Sequence, residues 1–184
     1  QRAFDRDPDK VWDFHDKRRD AVRKCAPNPG HHIVAEIQKK QPGTIIVTQN
    51  IDGMHQRAGA TDVIELHGSL WRVRCDFEDI VRPDESVPMN PRRCGCGRYW
   101  RPDIVWFEDS LDPRVVRRAR EALERCDLLV SIGTSAVVYP AADLPRIAIQ
   151  HGATTVEINL EDTPLSPLYE HRLRGKASEI LAEL

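Results

Sequence analysis

The chain has 184 residues, of which 40% are hydrophobic and 30% are charged, and its formal net charge is −2. This length predicts one globular domain, with room for a small appended module. The balanced charge does not favour nucleic acid or an anionic membrane as a partner, and no apolar run approaches the ~20 residues that span a bilayer. Five cysteines, an odd number, argue against a secreted disulfide scaffold. We therefore expect a cytoplasmic protein, and its oligomeric state stays open.

The first third of the chain alternates helical and strand patterns. Asp7-Pro8 is a helix start, with a capping carboxylate and a proline in the first turn. A second helix is predicted from Pro29-Gly30 to about Lys40. Two short β-branched runs, 44–48 and 63–66, predict buried parallel strands.

Residues 72–101 interrupt this pattern, since they carry three cysteines and several prolines without a long apolar run. We interpret them as a small irregular module inserted into one domain made of 1–71 and 102–184. In that domain's second part the patterns predict strands at 104–107, 127–133 and 154–159, and helices at 112–125, 140–150 and 177–184. Strand-helix-strand units at this spacing predict an α/β fold, with a doubly wound, parallel, Rossmann-like sheet.

Polar residues follow the predicted strands where an open α/β sheet binds its ligands, at the carboxyl edge. Glycine lets a ligand approach the backbone closely, hydroxyls bond phosphate or ribose, and a carboxylate accepts ribose hydroxyls. Each cluster also has a purely structural interpretation, as a turn or a helix cap. The candidates are Gln49, Asn50 and Asp52 after the first strand, His67 after the second, and then Gly133, Thr134, Ser135, Asn159 and Glu161, while the apolar Ile51 and Leu160 lie within the same clusters.

These clusters resemble the sirtuin family of NAD-dependent protein-lysine deacylases, most closely its bacterial and mitochondrial subclass. The resemblance rests on Thr48–His55, Glu65–Leu70, Arg101–Phe107 and the triplets at 133–135 and 159–161. It implies that His67 is the general base, with Asn50 and Asp52 organising the ribose and nicotinamide sides. It also implies that the residues above, together with Ala177, bind NAD. The implied reaction moves an acyl group from lysine to ADP-ribose and releases nicotinamide.

The resemblance implies an acyl-lysine peptide or protein as the substrate, bound as an added strand between 105–108 and 135–139. Val105, Phe107 and Val137 are the residues we place in this groove, although each fits a core role as well. Glu108 stands where the family usually has glycine. His15 and Arg18 occupy positions that read acidic acyl groups, such as succinyl or malonyl, in some sirtuins, although the tyrosine found there is His15 in this chain.

The inserted module resembles a zinc ribbon with a degenerate ligand pattern. Cys75 stands at the family's first ligand position, Glu78 replaces the second cysteine, and the second pair is compressed to Cys94-Gly95-Cys96. Three thiolates with Glu78 or a nearby aspartate could hold zinc. Alternatively, the module has lost its metal and is stabilised by packing.

Nothing in the sequence matches the glycine-rich segment that opens a sirtuin, so we expect either a piece of a longer protein or a reduced fold. Two alternatives to a deacylase follow. One is a protein ADP-ribosyltransferase on the same scaffold, against which His67 argues. The other is a binding module that holds acyl-lysine peptides without turnover.

Overall fold

The computed structural model describes residues 1–107 and 109–183 of the chain. Its helices are α1 (Arg2–Arg6), α2 (Pro8–Arg23), α3 (Pro29–Lys40), α4 (Met54–Arg57), α5 (Pro113–Arg125), α6 (Leu144–Gln150) and α7 (Ala177–Glu183). Its strands are β1 (Ile46–Thr48), β2 (Val63–Glu65), β3 (Gly68–Cys75), β4 (Ile80–Pro83), β5 (Arg101–Ile104), β6 (Leu128–Ile132), β7 (Thr154–Asn159) and β8 (His171–Arg174). No helix in the described ranges is both long and apolar enough to cross a membrane.

Parallel strand pairs occur in two separate parts of the chain. β1 pairs with β2 in parallel, and β6, β7 and β8 form a three-stranded parallel sheet in that order. A third sheet, β4-β3-β5, is antiparallel. The α/β class with parallel strands is therefore confirmed, and the parallel strands divide into two groups.

Helix starts follow the capping chemistry of the sequence. The Asp7 side chain accepts a hydrogen bond from the Lys10 backbone N–H at 3.0 Å, and Asp112 accepts one from the Arg114 N–H at 2.8 Å. Both helices carry proline in the first turn, as predicted. Asn28 caps α3 in the same way, through the His31 N–H at 3.2 Å.

Two kinds of core hold these elements together. Beneath the parallel strands, Ile64 and Leu66 pack with Ala119 of α5, and a further cluster joins α5 to α6. A separate aromatic core packs α2 on the antiparallel sheet. At its centre Trp12 is fully buried and donates its Nε1–H to the Trp100 carbonyl at 2.7 Å.

The strand expected at 104–107 is found at Arg101–Ile104 instead. β5 ends at Ile104 and pairs antiparallel with β3, so residues 105–107 leave the sheet. Gly68 permits this pairing, because its φ of +76° and its lack of a side chain let the Asp103 carbonyl oxygen approach so closely that a Cβ would lie 2.0 Å from it. Residues 72–101, expected to be irregular, contain the β3–β4 hairpin. The sequence patterns did not reveal α1, α4 or β8. Leu184, the last residue of the predicted final helix, lies outside the described residues.

Candidate active site

The carboxyl ends of β1, β6 and β7 meet through a chain of hydrogen bonds. Gln49 Nε2 donates to Thr134 Oγ1 at 3.2 Å, and Asn159 Nδ2 donates to the Thr134 carbonyl at 2.8 Å. These three residues were predicted from separate stretches of sequence. The fold brings them together at one edge, where open α/β sheets bind ligands.

Open space surrounds the backbone at this edge. Gly133 adopts φ +61°, and a Cβ built there would meet nothing within 4 Å. Ser135, Leu160 and Glu161 are exposed beside it. The Gly175 N–H donates to the Asn159 carbonyl at 3.1 Å, which places Ala177, at the start of α7, close to the same edge. An open glycine backbone, hydroxyls, an amide and a carboxylate are the groups that ribose and phosphate require, so these residues fit a dinucleotide.

The loop Asn50–Asp52 is anchored to β3. The Leu70 N–H donates to the Ile51 carbonyl at 2.8 Å, and Trp71 Nε1 donates to the Asp52 carbonyl at 2.7 Å. One Asp52 carboxylate oxygen accepts the Met54 N–H at 2.9 Å. This bond supports a turn-forming role for Asp52, while the exposed Asn50 side chain faces solvent.

His67 is fixed from two sides. Its Nδ1 lies 2.9 Å from the Gln49 carbonyl oxygen, and its own carbonyl accepts the Val105 N–H at 3.0 Å. A carbonyl can accept but not donate, so Nδ1 carries the hydrogen and Nε2 holds a lone pair. The ring is half-buried. Such a histidine can accept a proton at Nε2.

The segment after β5 is held by contacts that the sequence did not indicate. Arg101 is buried, pairs with Asp109, and lies 4.1 Å from the centre of the Trp106 ring. Trp106 in turn contacts Phe4, with 5.8 Å between the ring centroids. No spacing rule would have paired these residues, because their contacts arise only once β5 lies beside β3.

The predicted groove residues differ in exposure. Phe107 is 95% exposed and Val137 is 58% exposed, whereas Val105 is half-buried. Exposed apolar side chains of this size are available to a bound peptide. Glu108, the residue standing in place of the family's glycine, lies outside the described residues.

His15 and Arg18 differ in their exposure to solvent. His15 is 4% exposed, and its Nδ1 is buried without a hydrogen-bond partner among the described residues. Burial, followed by the charges of Arg18 and Arg19, lowers the pKa of His15 to about 4, so the ring is neutral at pH 7. Arg18 is exposed. A neutral imidazole can still donate one hydrogen bond, and the exposed Arg18 supplies a positive charge, so both side chains could contribute to binding a carboxylate.

The three module cysteines converge. The Sγ atoms of Cys75, Cys94 and Cys96 all lie within 4.8 Å of one another, and Cys75 and Cys96 are 3.6 Å apart. Burial acts to raise the pKa of the Cys75 thiol. Hydrogen bonds from the backbone N–H groups of Glu78 and Phe77 and from the neighbouring thiols outweigh this effect, so the pKa lies below its ordinary value. Soft thiolates in this arrangement fit zinc. Among the described residues the group contains these thiols alone, so Glu78 does not join it.

Parallel strands with convergent polar groups at their carboxyl ends define a nucleotide-binding α/β protein. The Sir2 family model matches residues 1–140. The NAD-dependent protein deacylase 1 of Archaeoglobus fulgidus is 43% identical, over 99% of this chain and 76% of that protein. The NAD-dependent protein deacylase of Aquifex aeolicus is 41% identical, over 96% and 75% respectively. This chain belongs to the Sir2 family.

Solved structures agree with this assignment. A crystal structure of a Sir2 homologue in complex with NAD superposes with a TM-score of 0.92 at 42% identity, covering 100% of this chain and 73% of that one. A Sir2 protein bound to an acetylated peptide superposes with a TM-score of 0.80 at 31% identity, covering 89% and 71%.

Proposed function

We propose that this protein removes acyl groups from protein lysines in an NAD-dependent reaction, giving nicotinamide and O-acyl-ADP-ribose. The observation that carries the proposal is the bond between His67 Nδ1 and the Gln49 carbonyl. It fixes the tautomer that a general base needs, beside the strand ends that carry the residues proposed to bind ribose. The deacylase names of the relatives in Archaeoglobus fulgidus and Aquifex aeolicus support the same activity.

His67 acts through its Nε2 atom in this proposal. NAD, when bound, supplies the ribose that receives the acyl group as nicotinamide departs. His67 Nε2 accepts a proton from a ribose hydroxyl, and the positive ring that results is stabilised because Nδ1–H already donates to a fixed carbonyl. The same atom can then return the proton to the leaving lysine.

The remaining cofactor roles follow from position. Gln49, Asn50 and the Ile51 backbone, with Asp52, would surround the nicotinamide-ribose side. Gly133, Thr134 and Ser135 would bind the central part, and the adenosine side would contact Asn159, Leu160, Glu161 and the Ala177 backbone. The hydrogen bonds from Gln49 and Asn159 to Thr134 support one continuous site.

The acyl-lysine substrate would bind across Val105, Phe107 and Val137, with its backbone added as a strand. Arg18 would select acidic acyl groups, because an exposed guanidinium pairs well with a carboxylate. His15, whose Nδ1 has no hydrogen-bond partner among the described residues, would offer the second polar group to the acyl carboxylate.

The same proposal includes the domain organisation and the location of the protein. One domain consists of 1–71 and 102–184, and 72–101 is the inserted zinc-type module. A cytoplasmic location is supported by the five free cysteines, three of which gather around a metal-type site.

Mass spectrometry tests the activity directly. The chain is incubated with NAD and paired acetyl- and succinyl-lysine peptides, and the expected product is acyl-ADP-ribose, formed only with NAD. His67→Ala should abolish turnover while the circular dichroism spectrum stays unchanged, and His171→Ala, an exposed histidine on β8, is the matched control. Unchanged turnover in His67→Ala would overturn the mechanism.

The same experiment distinguishes the two alternative functions. Transfer of ADP-ribose to protein without loss of the acyl group would indicate a transferase, and peptide binding without turnover would indicate a binding module.

A further inference from the structure

The thiolate cluster departs from a closed four-ligand zinc site. Cys75 is the last residue of β3, whereas Cys94 and Cys96 lie in the loop that leads to β5. The separation of 3.6 Å between Cys75 Sγ and Cys96 Sγ matches the ~3.8 Å expected for two thiolates on one tetrahedral zinc with Zn–S bonds of about 2.3 Å. The geometry therefore suits zinc, but it accounts for three of the four ligands.

The residue at the expected fourth position does not complete the site. Glu78 is exposed, and no carboxylate within the described ranges joins the three Sγ atoms in a group of metal-binding size. Its backbone instead donates a hydrogen bond to Cys75. The turn geometry that normally presents a second cysteine is present, while the ligand atom itself is missing.

Solvent can reach the open side of the cluster. Cys96 is partly exposed. A Cβ added at Gly95 or at Gly97, on either side of Cys96, would meet nothing within 4 Å. The loop around Cys96 therefore lies at the surface, on the side from which a ligand in solution would approach.

We propose that Cys75, Cys94 and Cys96 form a three-thiolate zinc site whose fourth ligand comes from solution and can be a small thiol. Water occupies the position in the absence of thiol. When a thiol binds, its sulfur forms the fourth bond to zinc, the water leaves, and the thiol proton passes to the solvent. No electrons are transferred. The inference does not depend on the deacylase activity.

Cobalt substitution tests the proposal without any activity measurement. The chain is loaded with Co²⁺, and its visible spectrum is recorded while a small monothiol is added. We expect thiolate-to-cobalt absorbance as soon as the metal is loaded. Addition of the monothiol should then shift this absorbance to a saturating value as a fourth sulfur binds. Glu78→Cys restores the fourth protein thiolate and should abolish this shift. Glu85→Cys, which adds a cysteine at another exposed position of the module, should retain it.

Zinc release to a chromogenic chelator gives a second measurement. Outer-shell changes alone alter metal affinity by about 10–100-fold, so a fourth protein ligand in Glu78→Cys should slow release by more than roughly tenfold. Failure to bind one metal per chain overturns the proposal. The proposal is also overturned if added thiol leaves the cobalt spectrum of the unmodified chain unchanged. This test does not require Glu78→Cys to fold.

Discussion

Gln49 and Thr134 join the two parallel sheets at the point where their strands end. The Gln49 amide, just after β1, donates to the Thr134 hydroxyl, just after β6, at 3.2 Å. Within the described ranges β1 and β6 do not share a strand ladder. This side-chain bond therefore positions two parts of the candidate cofactor site relative to each other.

Removing the Thr134 hydroxyl should weaken NAD binding. Thr134→Val keeps the shape of the side chain but loses the bond, and one hydrogen bond is worth about 1 kcal/mol, or roughly fivefold in Kd. Isothermal titration with NAD measures the change. Thr154→Val, the same substitution at the opposite end of β7, is the control. Equal affinities in the two variants would contradict a cofactor role for Thr134.

Gly68 should tolerate no side chain. Gly68→Ala places a Cβ 2.0 Å from the Asp103 carbonyl oxygen at φ +76°, and we expect it to cost at least about 3 kcal/mol, through backbone strain plus overpacking. Gly59→Ala is the matched control, because Gly59 also has a positive φ, +103°, with nothing within 4 Å. That variant should lose only about 1–2 kcal/mol. Urea unfolding of both variants isolates the clash, and similar losses would show that β3 and β5 are not as close as described.

His15 should make stability depend on pH below neutrality. Its pKa in the folded chain, about 4, lies below the ordinary 6.5 because the ring is buried and faces Arg18 and Arg19, with Asp16 acting in the opposite direction. The unfolded chain therefore binds a proton first. Stability is fully present above about pH 6.5 and falls as the pH drops towards 4, by on the order of 3 kcal/mol.

A comparison of variants isolates this effect. Burial also lowers the pKa values of His31 and His55, so the unmodified chain loses stability from more than one histidine. His15→Phe should flatten the fall between pH 6.5 and 4, whereas His171→Gln, at an exposed position, should leave it unchanged. Chemical unfolding at several pH values measures both, and parallel curves for all three proteins would refute the assignment.

Arg19 should be essential for the contact between α2 and the module. Its side chain is 1% exposed, pairs with Asp84 at 2.9 Å and donates Nε–H to the Leu70 carbonyl at 2.7 Å. Arg19→Met leaves the buried Asp84 carboxylate with weaker partners, and we expect a loss of about 3 kcal/mol or more. Lys17→Met, on the exposed side of the same helix, should change stability by less than about 0.5 kcal/mol. Thermal or urea unfolding distinguishes the two.

The sequence by itself determined the elements with strong local signals. Capping carboxylates followed by proline set the starts of α2 and α5, and short β-branched runs set β1 and β2, because these preferences act within a few residues of the chain. Parallel strands imply a carboxyl edge, so Gln49, His67, Thr134 and Asn159 could be named as candidates before any contact among them was known.

Only the tertiary structure decided how distant segments meet. The absence of a side chain at Gly68 permits the close approach of β5 to β3. β5 ends at Ile104, so Val105–Phe107 lie outside the strand that their composition favours. His15 became a buried neutral ring, which its place in an exposed-looking helical pattern did not indicate. Glu78 remained outside the thiolate group, although spacing alone allowed it to be a ligand. Burial, hydrogen-bond partners and the approach of one backbone to another depend on residues far apart in the chain, and local patterns carry no information about them.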